Sequence, residues 1–317
     1  MSDRIYILST GIVSALGAQP GGPDAAAPGD GRGAAAPGGD PAHGNRLRAV
    51  EPDYGKVIDP KMIRRMSRII KMGVAAGMEC LAGATPDAII TGTAYGCLED
   101  TTVFLDRMVV NKEEMLTPTA FIQSTHNTVG AQIALMLGCH GYNNTFVHRG
   151  FSFEHALLDG MMLIQEGDAG TVLVGGVDEI TDGSHAILSR LGLYKHGRIN
   201  GEGAAFFLLS GEPHPAGDGG TRAGDGGTVC LEGIDTFYKP ADAAAHIRAF
   251  LEKHPGPIDA VIGDTGEPFR DRCGDYPTAS AVGLWLAVEK VRAGAGRVLV
   301  YNNYLDIHHS LLLVSAC

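Results

Sequence analysis

Strand-length apolar runs alternate with longer amphipathic stretches along most of this chain, and that order restricts it to architectures in which helices cover buried sheets. Residues 87–90 (DAII), 145–147 (TFV) and 171–177 (TVLVGGV) read as strands. Residues 128–137 (TVGAQIALML) and 152–167 (SFEHALLDGMMLIQEG) read as helices. The alternation returns toward the C-terminus: TVCLEGIDTF, a helical DAAAHIRAFLEKH, the strand DAVIG, a helical TASAVGLWLAVEKVRAG, and two strands in RVLVYNN and SLLLVSAC. Two α/β halves in tandem fit a chain of 317 residues, because a domain takes about 100–200 residues.

Two segments break the pattern. Residues 17–44 and 211–227 are built mostly from Gly, Ala, Pro and Asp, too little apolar surface to offset the entropy of ordering them. They read as a flexible insertion and a linker, which places an N-terminal half at 1–210 and a shortened C-terminal half at 228–317. No apolar run approaches the roughly 20 residues of a membrane span. The opening MSDRIYILSTGIVSALG reads as a first strand rather than a cleaved signal, so a cytoplasmic protein is expected. The net charge of −11 repels polyanions and excludes a general nucleic-acid binder. Cys80, Cys97, Cys139, Cys230, Cys273 and Cys317 show no C-x-x-C pair and are expected as buried reduced thiols, with neither disulfide nor structural zinc.

A helix expected from Lys61 to Leu81 would put Lys61, Arg64, Arg65 and Arg68 on one face, with Lys71 extending it. Such a face is either simply solvated or, being so compact on an acidic molecule, a dock for an acidic protein or a phosphate. Gly201-Glu202-Gly203 and Gly92-Thr93-Ala94-Tyr95-Gly96 match no nucleotide-binding fingerprint and read as tight turns. There is no H-E-x-x-H or comparable set of metal ligands, and no cofactor is implied.

The order of segments resembles the β-ketoacyl synthase branch of the thiolase-like condensing enzymes over nearly the whole chain. IYILSTGIVSALG is similar to that family's first strand and Gly-rich turn, KMIRRMSRIIKMGVAAGMECL to its basic helix, and IITGTAYGCLED to its second strand. HNTVGAQIALMLGCHGYNNTFV resembles the helix and strand before the nucleophile. VLVGGVDEI, GRINGEGAAFFLL, TASAVGLWLAV and VLVYNNYLDIHHSLLLV resemble later family segments. The resemblance implies a five-layered α-β-α-β-α fold of two similar halves and Claisen condensation of acyl groups held on an acyl carrier protein. It also implies a dimer formed across the strand before the nucleophile, here Asn144, Thr145, Phe146 and Val147.

The family's chemistry rests on a cysteine thiolate at a helix N-terminus, two histidines and an oxyanion hole of backbone N–H groups. At the matching positions this chain carries Val147 for the cysteine, and Asp264 and Pro277 for the histidines; the Gly-rich loop that shapes the oxyanion hole reads Asn303 to His309. No cysteine lies between Cys139 and Cys230 to restore the nucleophile. Cys97 and Cys273 are the nearest replacements. A rebuilt serine site would use Ser152 with His148 or His155 as base and Glu154 or Asp264 as orienter. Ser152 is also a favoured N-cap, and Glu154 suits the first turn of a helix. His308 and His309 are expected near His148 and Arg149, either as acid and base or filling the former active site with hydrogen bonds.

The resemblance therefore points to a homologue that has lost its chemistry and serves as chain-length-factor-type partner of an active β-ketoacyl synthase, in a type II fatty acid or polyketide system making an aryl-polyene or flexirubin-like product. Phe146 and Met161 would line its tunnel, and the basic face at Lys61, Arg64, Arg65, Arg68 and Lys71 would dock the acyl carrier protein. The alternatives are an active acyltransferase or hydrolase with a rebuilt site, and a homodimeric acyl-binding scaffold.

Overall fold

The computed structural model of the chain describes residues 4–17, 45–195, 197–213 and 229–317. Apart from Gly17, the expected insertion lies outside the described residues, as do positions 214–227 of the expected linker. In chain order the elements are β1 (Ile5–Ser14), β2 (Arg46–Leu47), α1 (Pro60–Ile63), α2 (Arg68–Leu81), β3 (Ala88–Gly92), α3 (Leu98–Val110), α4 (Pro118–Gln123), α5 (Thr128–Leu137), β4 (Tyr142–Phe146), α6 (Ser152–Glu166) and β5 (Thr171–Asp178). There follow α7 (Asp182–Arg190), β6 (Asn200–Gly201), β7 (Gly203–Ser210), β8 (Val229–Tyr238), α8 (Ala243–Lys253), β9 (Ala260–Gly263), α9 (Arg270–Cys273), α10 (Ser280–Arg292), β10 (Arg297–Tyr304) and β11 (His308–Ala316).

Nine strands run in the order β4-β3-β5-β7-β1-β8-β11-β10-β9. The N-terminal five and C-terminal four meet where Ile5, Tyr6 and Ile7 pair antiparallel with Leu231, Cys230 and Val229. Strands β3, β4 and β5 are parallel, as is the pair β9 and β10, with helices as the crossovers.

Side-chain alternation along the central strands produces the layers. On β7, Phe207 and Leu209 enter one apolar cluster while Phe206 and Leu208 enter another. On β10, Val298 and Val300 join the first cluster, and Leu299 and Tyr301 a third. Strands apolar on both faces must be covered on both faces. The shared cluster holds α6 and α10 through Phe153, Leu157, Trp285 and Val288. The outer clusters hold α2 and α5 on one side and α8 on the other. The result is the five-layered α-β-α-β-α arrangement with α6 and α10 as the middle layer. Close approach is built in at Gly92, where a Cβ would lie 2.4 Å from the Ser152 carbonyl oxygen.

Two expectations fail here. The single helix over 61–81 is two helices, because Ser67 adopts an extended backbone (φ −67°, ψ 174°) before α2 starts at Arg68. The six cysteines are not all free: Cys230 and Cys317 form a disulfide, brought together by the antiparallel pairing of β8 with β11. Among the described residues no helix is long and apolar enough to cross a membrane.

Candidate functional site

Strand β4 ends at Phe146, and the chain turns through Val147 to Phe151 into α6. The strained residue of this turn is Arg149 (φ 54°), a left-handed conformation unusual for a residue with a Cβ. It lies two positions beyond Val147, and the Gly150 that follows is buried. A Cβ on Gly150 would come within 2.8 Å of His308 Cβ and Tyr304 Cδ1, so the turn presses directly against the C-terminal half. None of Val147, Arg149 and Gly150 offers a nucleophile.

Ser152 is fully buried. It is the first residue of α6 rather than its N-cap, and its Oγ closes the turn, accepting from the His148 backbone N–H (2.9 Å) and donating to the Arg149 carbonyl (2.8 Å). Both bonds are local and structural, and no imidazole bonds this hydroxyl among the described residues. Glu154 is not a surface residue complementing the helix dipole. It is wholly buried in the middle layer, where its Oε1 accepts from Asn302 Nδ2 (3.1 Å) and Ser310 Oγ (2.6 Å). Burial raises its pKa, opposed by the bonds from Ser310 and Asn302.

The histidines separate into two environments. His148 and His155 share a hydrogen bond between their Nδ1 atoms (2.6 Å), so one ring donates and the other accepts. Burial, with His148 beside it, lowers the His155 pKa. Phe146 packs edge-on to both rings. His308 reaches the same turn, its ring 4.8 Å from that of Phe151, and burial followed by the Arg149 charge lowers its pKa. His309 does not join them. Consecutive residues of a strand face opposite ways, and His309 turns into the outer core, stacked on Phe237 and bonded through Nδ1 to the Tyr301 hydroxyl (2.9 Å).

Asp264 stands at the end of β9, where its Oδ2 accepts the Asn303 N–H (2.9 Å). Burial raises its pKa, and the Arg270 guanidinium opposes the shift. It lines a cavity of about 260 Å³ together with Arg198, Arg270, Asp271, Asp275 and Asn303. Pro277 is buried, and the neighbouring Thr278 ties this segment to the N-terminal half by donating N–H and hydroxyl to Asp178. Four donors converge on Asp178, whose pKa burial still pushes up to about 6. The replacement thiols are buried: burial raises the pKa values of both Cys97 and Cys273, that of Cys273 to about 12.

The basic face loses its centre. Arg68 turns inward, donating to Glu51 and to the fully buried Glu202, which also accepts the Ala49 and Ile180 N–H groups. Lys71 lies over the Tyr54 ring, 5.5 Å from its centroid. Lys61, Arg64 and Arg65 remain exposed. The Gly-Glu-Gly sequence at 201–203 thus carries a structural acid, and its partner Arg68, 134 residues away, gives no local signal of the pairing.

Strand β4 occupies one edge of the nine-stranded sheet, with the turn that carries Val147 at its end. Residues 43–190 match the family described as beta-ketoacyl synthase, N-terminal domain. This part of the chain is thus similar to the N-terminal domain of the β-ketoacyl synthases. The fold extends the likeness to the whole chain. A β-ketoacyl synthase from Burkholderia phymatum STM815 superposes with a TM-score of 0.76 at 16% identity, and the ishigamide ketosynthase/chain length factor with 0.72 at 17%, each covering 99% of both chains. The ketosynthase ApeO in complex with its chain length factor ApeC from Xenorhabdus doucetiae gives 0.69 at 15%, covering 99% of this chain and 98% of that one. No curated protein sequence matches the chain.

Proposed function

We propose that this β-ketoacyl synthase homologue is a catalytically silent, chain-length-factor-type subunit that pairs with an active synthase and receives chains from an acyl carrier protein. One observation carries the reading. The turn from β4 to α6 holds no nucleophile, and its one buried hydroxyl, on Ser152, is committed to the backbone on both sides. The free edge of β4 supports pairing through Asn144 to Phe146, because an edge strand offers unpaired backbone groups to a partner. A solved relative is itself a ketosynthase bound to its chain length factor. Lys61, Arg64 and Arg65 are the part of the basic face left to meet an acidic carrier, and the product class we assign is an aryl-polyene or flexirubin-like chain.

The test is the intact mass of the full chain after incubation with an acylated carrier protein, alone and as Ser152→Ala. No acyl adduct is expected on either. A stable adduct on the native chain that disappears in the variant would establish a rebuilt serine nucleophile and end the silent-partner reading.

A further inference from the structure

The cavity beside Asp264 has a charge pattern that the silent-partner reading does not use. Arg270 lies in its wall, donating Nε to Asp275 (2.9 Å) and Nη2 to Asn302, while its Nη1 is buried without a partner. Asp275 largely cancels that guanidinium. Arg198, one-third exposed, is held loosely: it stands 3.6 Å from Asp275 and 3.8 Å from Asp306, beyond the roughly 2.7–2.9 Å of a charge-assisted hydrogen bond. Of the Asp264 carboxylate, Oδ2 takes the Asn303 N–H, and no hydrogen bond reaches Oδ1 among the described residues. Asp271 adds an exposed carboxylate at the rim.

One wall therefore offers the loosely held guanidinium of Arg198, and the other a carboxylate with a free oxygen. Both guanidinium groups are paired with Asp275, and among the described residues neither forms an ion pair with Asp264. An anion alone would meet Arg198 but face the charge on Asp264. A cation alone would meet Asp264 and Asp271 but face two guanidinium groups. A molecule carrying both charges a few ångströms apart satisfies both walls. At about 260 Å³ the space falls below the roughly 300–1,000 Å³ of drug-sized sites and suits a small polar molecule.

We propose that this cavity is a binding site for a small zwitterion of the α-amino acid class, its carboxylate on Arg198 and its ammonium on Asp264. The planar guanidinium fork fits a carboxylate in two-point contact, and the compact ammonium fits the free Oδ1. Burial raises the Asp264 pKa although Arg270 opposes the rise, and a bound ammonium would oppose it further. The site requires neither a carrier protein nor a synthase, so it stands or falls separately from the proposed partnership.

Isothermal titration of the purified full chain with glycine, L-alanine and L-serine, and with acetate and ethylamine as half-ligands, decides the matter. At least one amino acid is expected to bind about tenfold or more tighter than either half-ligand. Arg198→Gln and Asp264→Asn are each expected to weaken it about tenfold at an unchanged melting temperature. Acetate or ethylamine binding as tightly as the amino acids would overturn the assignment, as would no binding in the series up to about 10 mM or unaltered affinity in both variants. The ligand series on the native chain remains decisive if either variant fails to fold.

Discussion

Glu179 shows how much of this molecule's electrostatics is set by burial. Its carboxylate lies beneath the start of α3, accepting the Glu99 N–H (3.0 Å), and desolvation, opposed by that bond, raises its pKa from 4.5 to about 7. Between those values the folded state holds a proton that the unfolded state has released. The stabilising effect of this proton is complete below pH 4.5 and is lost as pH rises toward 7. A shift of that size corresponds to about 3 kcal/mol. Glu179→Gln should therefore flatten the fall in stability between pH 4.5 and 7.5 by about that amount in urea unfolding. A pH profile parallel to that of the native chain would contradict the assignment. Asp178, raised to about 6, titrates in the same direction and keeps part of the slope in the variant. Neither residue declares itself in the sequence, where both are charged letters after a strand in GGVDEI.

At the scale of elements, β4 is the segment whose behaviour the proposed function most depends on. Its five residues pair with β3 on one side only, and Tyr142 to Phe146 are all partly or well exposed, whereas β3 is buried along its whole length. Asn144→Lys places a charge on that edge, a common device against strand pairing. It should convert a dimeric species to monomer in sedimentation velocity without lowering the melting temperature. A dimer that survives the substitution would move the interface elsewhere. This strand was legible as a short apolar run ending in TFV, although it begins at Tyr142 and leaves Val147 in the turn. The basic helix was legible only in part. Heptad spacing assumes an unbroken helix, and Ser67 breaks it, so Arg68 leaves the face for a buried acid that no local pattern announces.

Over the whole molecule, the C-terminal strand is fastened twice, by its pairing with β8 and β10 and by the Cys230–Cys317 disulfide, which closes a separation of 87 residues. Closing a loop of that length restricts the unfolded chain and contributes about 2–5 kcal/mol. Cys317→Ser should lower the stability of the oxidised protein by about that amount and leave the fully reduced protein unchanged. Equal loss in both conditions would show that the bond adds nothing. The α/β class, the two halves and the helices of the middle layer could be read from the sequence alone, because period-two and period-3.6 patterns are local and each strand's apolar run states whether both its faces are covered. The absence of a cysteine near the turn could be read too, since none lies between Cys139 and Cys230. Tertiary structure alone decided the rest. Ser152 is spent on the turn's own backbone, and His308 meets that turn while His309 faces away. Glu154 is buried against Asn302 and Ser310, and Asp264 shares a cavity with Arg198 and Arg270. Each of these outcomes depends on how elements from distant parts of the chain pack together, and on the cost of burying a charge or hydroxyl that finds no partner there.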